Sequence, residues 1–350
     1  MKKSLIALAV AGVVSAPAFA ATSNVDVYGV MHMSVSMFND QDEVGGENDL
    51  QISSNASRIG FKGTEDLGGG LSAIWQIESG INLDEQNGSV ANRNSYVGLK
   101  GGFGTVLLGN HDTPFKLVGR SVDMFGDTIA DSRNILGGGT VAGIPLTSDM
   151  RADNVIAYMS PNFTGLNFAV AYSTDPVSAA NAGADQTDMS VWSANATYTN
   201  GPLYFGVGYS DGDALETALE QDRNWRVAAG YTFGNFKIVG QYDKYDATST
   251  ALVMTDFDAW MLGGSYTMGA MVFKANYMSG EFDNCVGIGC EPEQWTVGMD
   301  YNMSKRTTVY ALYASQEDGA GLGWGAGSSD WVSPEIDDVA AFSLGVKHSF

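Results

Sequence analysis

The stretch AFSLGVKHSF, residues 341–350, decides the fold class because its polarity changes at every residue. One face of the extended chain carries mainly large apolar side chains, at Phe342, Leu344, Val346, His348 and Phe350. The other face carries small or polar residues, at Ala341, Ser343, Gly345, Lys347 and Ser349. A period of two predicts a β-strand with one apolar face.

Similar segments of roughly ten residues recur along the chain and predict sixteen strands. They lie at residues 25–38, 50–65, 71–82, 92–100, 103–110, 152–160, 164–174, 188–199, 202–211, 222–233, 236–246, 255–267, 270–283, 292–302, 307–316 and 338–350. Of the 350 residues, 44 are Gly, 15 Tyr and 16 Phe. This composition favours β structure over a soluble α/β enzyme.

The connections alternate between tight and long. After even-numbered strands they are short turns such as Gly68-Gly69-Gly70, Asn200-Gly201 and Gly234-Asn235. After odd-numbered strands they are longer and acidic, and the one around Asn110–Met150 is the longest. An even number of strands with alternating short and long connections predicts an all-β fold, a transmembrane antiparallel β-barrel of 16 strands in an outer membrane. A soluble β-sandwich is disfavoured because no set of strands is apolar enough on both inner faces.

The N-terminus is typical of a cleaved secretory signal peptide. Met1-Lys2-Lys3 is basic, Leu5–Val14 is apolar, and Ala18-Phe19-Ala20 supplies small residues at a cleavage site. We therefore expect residues 1–20 to be removed and residues 21–350 to form the barrel. No later stretch approaches the ~18 consecutive apolar residues of a transmembrane helix.

Composition also limits the partners and cofactors. A formal net charge of -22 excludes a sequence-independent nucleic-acid binder, which needs a basic surface. Two Cys and three His are too few for a zinc or iron–sulfur framework, so we expect no metal and no cofactor. In an oxidising compartment, the close pair Cys285 and Cys290 predicts a disulfide that restricts an external loop, rather than a redox centre or a metal site.

Four motifs are distinctive in their order and spacing. They are SRIGFKG at 57–63, RNSYVGL at 93–99, GFGTV at 102–106, and GVKHSF at 345–350. Together they resemble the general (non-specific) porin family of Gram-negative outer membranes. The resemblance implies a homotrimer embedded in outer-membrane lipid and lipopolysaccharide, with a long third loop folded into the lumen. It also implies that Phe350 is the signal read by the barrel-assembly machinery.

Candidate pore residues follow from position and from the resemblance. Alternation places Arg58 and Lys62 opposite the apolar Ile59 and Phe61, so Arg58 should point into the lumen. The resemblance matches three residues to the basic wall of a pore constriction, namely Arg58, Arg93 and Arg151. It matches two more to an acidic pair on the infolded loop, namely Asp123 and Asp127. Further candidate pore charges are Lys62, Lys116, Arg120 and Arg133. The alternative is that all of these are ordinary lumen or loop charges.

These observations predict a porin that lets ions and small hydrophilic solutes diffuse passively. A substrate-specific channel for a sugar or an oxyanion remains the alternative, since Phe115 and Phe125 could be packing residues or a short apolar patch. An enzyme is disfavoured because no nucleophile has a neighbouring base, and an adhesin does not explain the terminal aromatic residue. With 40 acidic and 18 basic residues, we expect weak cation selectivity or near-neutrality.

Overall fold

The computed structural model describes residues 24–40, 49–85, 89–136, 140–141, 144–145, 149–176, 190–212, 219–249, 256–283, 290–318, 322 and 338–350. The expected signal peptide, residues 1–20, lies outside the described residues, so its removal stays a prediction. Within the described ranges, no helix combines the length and the apolar character that a membrane crossing requires.

The described part of the chain consists mainly of β-strands. Its elements, in order, are β1 (Asn24–Asp40), β2 (Asp49–Ser54), β3 (Arg58–Gly68), β4 (Leu71–Gly80), β5 (Ser95–Gly101), β6 (Gly104–Asp112), α1 (Pro114–Arg120), β7 (Thr140–Val141), β8 (Ile144–Pro145), β9 (Arg151–Met159), β10 (Leu166–Thr174), β11 (Ser190–Asn200), β12 (Leu203–Gly212), β13 (Leu219–Phe233), β14 (Phe236–Ser249), β15 (Asp256–Met268), β16 (Met271–Phe282), β17 (Glu293–Asn302), β18 (Thr307–Glu317) and β19 (Asp338–Ser349). A 3-10 turn spans Ser132–Asn134.

Seventeen of these strands form one sheet that closes on itself. Strand β1 pairs with β19 on one side, from Val30↔Ser349 to Asp40↔Val339. On its other side it pairs with β2 and then with β3, which together make one crossing interrupted at residues 55–57. The predicted 16-stranded antiparallel barrel is therefore confirmed, with its second strand in two pieces.

Alternation along the strands sorts the side chains into two faces. In β19, Phe342 is 46% exposed and Leu344 51% exposed, whereas Ala341 and Ser343 between them are buried. Large apolar residues face outward on the other strands as well, the reverse of a soluble protein. This pattern suits a barrel whose outer surface meets hydrocarbon and whose inner surface is polar.

Aromatic side chains cluster near both ends of the strands. Trp192 packs on Tyr172, and Trp225 on Tyr209, each with ring centroids 4.5 Å apart. Amphipathic rings of this kind suit the membrane–water interface. Tyr204 instead lies on the opposite face of β12 from the exposed Leu203 and Phe205, and its hydroxyl donates to the Val118 carbonyl at 3.2 Å.

Candidate functional site

The long connection between β6 and β9 begins with a short helix. Thr113 caps α1, its hydroxyl accepting the Lys116 N–H at 3.3 Å, and Pro114 follows in the first turn, where its missing N–H is not needed. We refer to residues 113–136 as the β6–β9 segment. Its second half turns through the 3-10 turn, which Asp131 caps.

The helix α1 and the last residues of the β6–β9 segment pack on strands β11–β16. The Phe115 N–H donates to Ser193 Oγ at 3.0 Å, and Asn195 Nδ2 donates to the Pro114 carbonyl at 2.7 Å. An apolar cluster joins the segment to the strands, comprising Phe115, Val118, Val122, Ile135, Leu136, Ala228, Val239, Tyr245, Phe257, Ala259, Met261 and Met278. The strand residues of this cluster are buried and alternate along their strands with exposed ones.

The middle of the segment, residues 125–134, packs on β17, β18, β19 and β1. Phe125, Ile129 and Ala130 contact the buried residues Phe38, Tyr310, Leu312, Ala314, Val339 and Ala341. Asn134 Nδ2 donates to Gln294 Oε1 at 2.9 Å, and Gln294 Nε2 donates to the Ala130 carbonyl at 3.3 Å. Phe115 and Phe125 are 0% and 1% exposed, so both are packing residues and neither forms an apolar patch.

Arg120 organises the charges of the segment. Its guanidinium reaches Asp123 at 3.4 Å, Asp127 at 2.7 Å and Asp131 at 2.8 Å. Arg133 adds a second cation, with Nε 3.0 Å from Asp131 Oδ1. The segment therefore carries three carboxylates around two guanidiniums in a small volume.

The pKa values of two of these carboxyl groups are shifted in opposite directions. Burial and the nearby Asp131 raise the pKa of Asp123 to about 6. Although burial opposes ionisation, Arg133 and Arg120 hold the pKa of Asp131 well below its usual value. Asp123 also accepts the backbone N–H groups of Phe125 and Ser132, at 2.9 and 3.3 Å. Its side chain is 1% exposed, and these partners, like Arg120, all belong to the segment itself.

Asp127 connects the segment to cations on the barrel wall. Its Oδ2 lies 3.6 Å from Arg58 Nη1 and 3.7 Å from Lys347 Nζ. The break between β2 and β3 positions Arg58, because Ala56 adopts a left-handed φ of 49° and its carbonyl accepts from Arg58 Nη1 at 2.9 Å. Although burial opposes ionisation, Arg120 and Lys347 lower the pKa of Asp127, so it is ionised at neutral pH.

Arg93 and Arg151 occupy the wall nearby but pair with other groups. Arg93 Nε lies 2.7 Å from Glu78 Oε1. Arg151 Nη2 lies 3.2 Å from Asp112 Oδ1, and Lys116 Nζ lies 3.0 Å from the same oxygen. Among the ion pairs between described residues, none joins Arg93 or Arg151 to the acids of the segment.

Lys62 lies away from Asp127, on the same face of β3 as Arg58. Its ammonium is 5.1 Å from the centre of the Tyr28 ring. It lines a cavity of about 670 Å³ together with Tyr96, Lys100 and His111.

Three cations that contact the segment were not among the predicted site residues. Lys347 contacts Asp127, Lys274 Nζ donates to the Met124 carbonyl at 3.0 Å, and Arg226 donates to the Leu136 carbonyl at 2.7 Å. The alternation of each strand places these side chains on the inner face, so their inward orientation could have been predicted from the sequence. Nothing in the sequence shows which part of the segment each cation meets.

The two remaining predicted sites lie elsewhere. Cys290 is disulfide-bonded, but Cys285 lies outside the described residues, so their pairing stays a prediction. Phe350 ends the barrel seam, exchanging backbone hydrogen bonds of 3.1 and 3.2 Å with Gly29. A Cβ at Gly29 would lie 2.4 Å from the Phe350 ring, so the ring packs directly over a glycine.

Comparison with known proteins places this architecture in a family. A family model described as Gram-negative porin matches residues 7–321. Outer membrane porin protein 32 of Delftia acidovorans is 31% identical over 363 aligned residues that cover both chains fully. The major outer membrane protein P.IB of Neisseria gonorrhoeae is 27% identical, covering 88% of this chain and 92% of the relative.

Solved structures give the same result for the fold. The anion-selective porin from Comamonas acidovorans superposes with a TM-score of 0.76 at 27% identity, covering 94% of this chain and 100% of that one. OmpT of Vibrio cholerae in its trimer form superposes with a TM-score of 0.70 at 19% identity, covering 94% of this chain and 99% of that one.

Proposed function

The chain belongs to the Gram-negative porin family, whose members are channels of the outer membrane, and we propose that the β6–β9 segment forms the constriction of its channel. The barrel itself is a water-filled path for passive diffusion of ions and small hydrophilic solutes. The segment carries its own apolar packing surface to the inner face of one side of the wall. Solutes would then pass along the other side, lined by β3–β6 and β9.

The contact of Asp127 with Arg58 and Lys347 carries this proposal. It sets a carboxylate on the segment against one cation on β3, in the uncovered part of the wall, and a second cation on β19. Opposed fixed charges at a narrow point produce a transverse field, which orients water and disfavours apolar solutes without binding any one solute tightly. Arginine suits the wall because it stays charged at every relevant pH.

Of the two predicted acids of the constriction, Asp127 fits the role and Asp123 supports it. Asp127 reaches the wall, whereas Asp123 orders the segment through backbone N–H groups. Arg93 and Arg151 would line the same passage, each partly neutralised by its own carboxylate partner. We therefore assign the field chiefly to Arg58, Lys347 and Asp127.

We expect weak ion selectivity. Most cations near the segment are matched by a carboxylate within ion-pair distance, which leaves a small net charge at the narrow point. The chain as a whole is strongly acidic, with 40 Asp+Glu against 18 Lys+Arg, which raises the cation concentration near its surface at low salt. The related porin from Comamonas acidovorans is described as anion-selective. The strongly acidic composition here argues against strong anion selectivity.

We propose a passive role without catalysis, because the family to which the chain belongs consists of channels. His32 Nε2 pairs with the Tyr310 hydroxyl, and His111 Nδ1 lies 2.8 Å from the Asp112 carbonyl. His348 Nδ1 meets the Thr307 hydroxyl at the outer surface. In the described part of the chain, no imidazole ring is paired with a serine or cysteine side chain, the arrangement that nucleophilic hydrolysis needs.

Assembly is proposed to follow the relatives. OmpT of Vibrio cholerae is described in a trimer form, and we expect a homotrimer here, in contact with lipid and lipopolysaccharide. The C-terminal Phe350 would be the residue that the barrel-assembly machinery recognises. Its ring lies on the outer surface at the seam, 38% exposed, where another protein can reach it.

Channel formation is tested by inserting the refolded protein into planar lipid bilayers. We expect roughly ohmic current steps in KCl, grouped in threes for a trimer, with weak selectivity. Small currents that one sugar or oxyanion blocks at micromolar concentration would instead indicate a substrate-specific channel. A folded barrel that carries no current would contradict the proposal.

A further inference from the structure

Arg226 is among the most deeply buried charged residues of the barrel wall. It lies on β13 with 2% of its surface exposed, between the outward-facing Trp225 and Val227, which are 53% and 42% exposed. Alternation therefore points Arg226 inward, behind the β6–β9 segment. A buried guanidinium is costly unless its donors are satisfied and its charge is compensated.

The wall supplies one half of the compensation. Arg226 Nε donates to Asp243 Oδ1 at 2.8 Å, and Nη2 donates to Asp243 Oδ2 at 2.7 Å, a bidentate pair between neighbouring strands. The Tyr245 hydroxyl lies 3.2 Å from Nη2 and itself donates to the Leu136 carbonyl at 2.7 Å. This half fixes the orientation of the guanidinium plane.

The connection between β6 and β9 supplies the other half. Arg226 Nη2 donates to the Leu136 carbonyl at 2.7 Å, and Nη1 donates to the Phe115 carbonyl at 3.4 Å. Nη1 also donates to Asp149 Oδ1 at 2.8 Å, near the point where the chain returns to β9. The guanidinium carbon lies 4.2 Å from the centre of the Phe115 ring. One side chain thus holds both ends of the β6–β9 segment and the return of the chain.

The helix α1 is shaped to reach this arginine. A Cβ at Gly119 would lie 2.6 Å from Arg226 Nη1 and 3.1 Å from Gln241 Oε1. The absence of a side chain at this helical position lets the helix approach the guanidinium.

We propose that Arg226 is a positioning residue that sets the width of the channel by fixing both ends of the β6–β9 segment against β13. The inference rests on the proposed function of the segment as the constriction. Removing the guanidinium releases two backbone carbonyls and Asp149 at once. The segment then samples positions farther from β13. The width of the channel and its fluctuations therefore change, while the barrel strands keep their backbone hydrogen bonds.

The test compares R226Q with R223Q in planar bilayers. Arg223 lies on the same strand but faces outward, with its Nε 3.5 Å from Asp211, so it is a matched control. Folding is checked by the electrophoretic shift between unheated and boiled protein. The readouts are open-channel current noise, KCl conductance and the size of the largest polyethylene glycol that enters the pore.

For R226Q we expect higher noise, an altered polymer size limit and a conductance change of roughly 1.5-fold, because pore dimensions govern all three. R226K, which keeps the charge but loses the planar fork, should be intermediate. R223Q should match the wild-type protein. A folded R226Q with wild-type noise, conductance and size limit would overturn the inference.

A second variant covers the case in which R226Q fails to fold because Asp243 is left buried without its partner. R226M/D243N removes both charges of the wall pair together, which such sites often tolerate. We expect this double variant also to show higher noise, an altered polymer size limit and a changed conductance. Wild-type values for all three would overturn the inference. The proposed function is tested separately, because R58Q and D127N must shift ion selectivity whether or not Arg226 sets the width of the channel.

Discussion

The Asp127 carboxylate lies 3.6 Å from the Arg58 guanidinium, although the two residues belong to separate parts of the barrel. Arg58 begins β3 at an interruption of the wall, and Asp127 sits at a left-handed position, φ 62°, in the β6–β9 segment. Arg120 holds Asp127 from within the segment at 2.7 Å. The side chain is therefore fixed from both directions, which is what a permanent field across a narrow passage requires.

Acidification should stabilise the β6–β9 segment through Asp123. Its pKa rises from 3.8 to about 6 in the folded protein, so the folded segment binds more protons than the unfolded one between these values. The free energy of unfolding therefore increases as pH falls below about 6, and this stabilisation is complete below about 3.8. The same stabilisation is lost as pH rises through about 6. Hydrogen exchange of the segment amides, corrected for intrinsic rates, should show greater protection at pH 5 than at pH 7.

The matched variants for this pH effect are D123N and D66N. D123N should remove the pH dependence, because the titrating group is absent. Asp66 lies at the exposed end of β3, where it accepts the Gly68 N–H, and D66N should keep the wild-type dependence. An unchanged pH dependence in D123N would refute the assignment to Asp123.

Removing the Phe125 ring should loosen the segment without opening the barrel. The ring is 1% exposed, and Lys274 Nζ lies 4.6 Å from its centre. Truncating a buried Phe to Ala costs about 3–5 kcal/mol. We expect F125A to speed proteolytic cleavage within residues 113–136 of the folded barrel, whereas F205A, on the outer face, should leave the cleavage rate unchanged. Equal rates for F125A and the wild-type protein would contradict this packing role.

Adding one methyl group at Gly119 should disturb the Arg226 contacts. Ala favours helices more than Gly does, so any increase in mobility of G119A must come from the crowding of Arg226 Nη1. We expect higher open-channel noise in G119A. The control is G102A, in an exposed turn where a Cβ meets nothing within 4 Å, and it should be as quiet as the wild-type channel. A quiet G119A channel would show that the close approach is unimportant.

The sequence predicts much of the wall and little of the segment. A strict period of two assigns Arg58 to the inner face of β3 and Lys347 to the inner face of β19, because successive side chains of a strand point to opposite sides. No such rule applies to residues 121–131, where only contacts with distant strands separate Asp127 at the wall from Asp123 inside the segment. Arg226 shows the same limit, since its partners at 115, 136, 149 and 243 meet only in the folded barrel.

The reversal potential in a KCl gradient tests the central claim most directly. Removing the loop anion with D127N should lower the K⁺ to Cl⁻ permeability ratio by roughly twofold, and removing either wall cation with R58Q or K347Q should raise it by a similar factor. D66N and R223Q remove the same charges away from the narrow point and should leave the ratio unchanged. If all five variants keep the wild-type reversal potential, the contact between Asp127, Arg58 and Lys347 does not form the constriction.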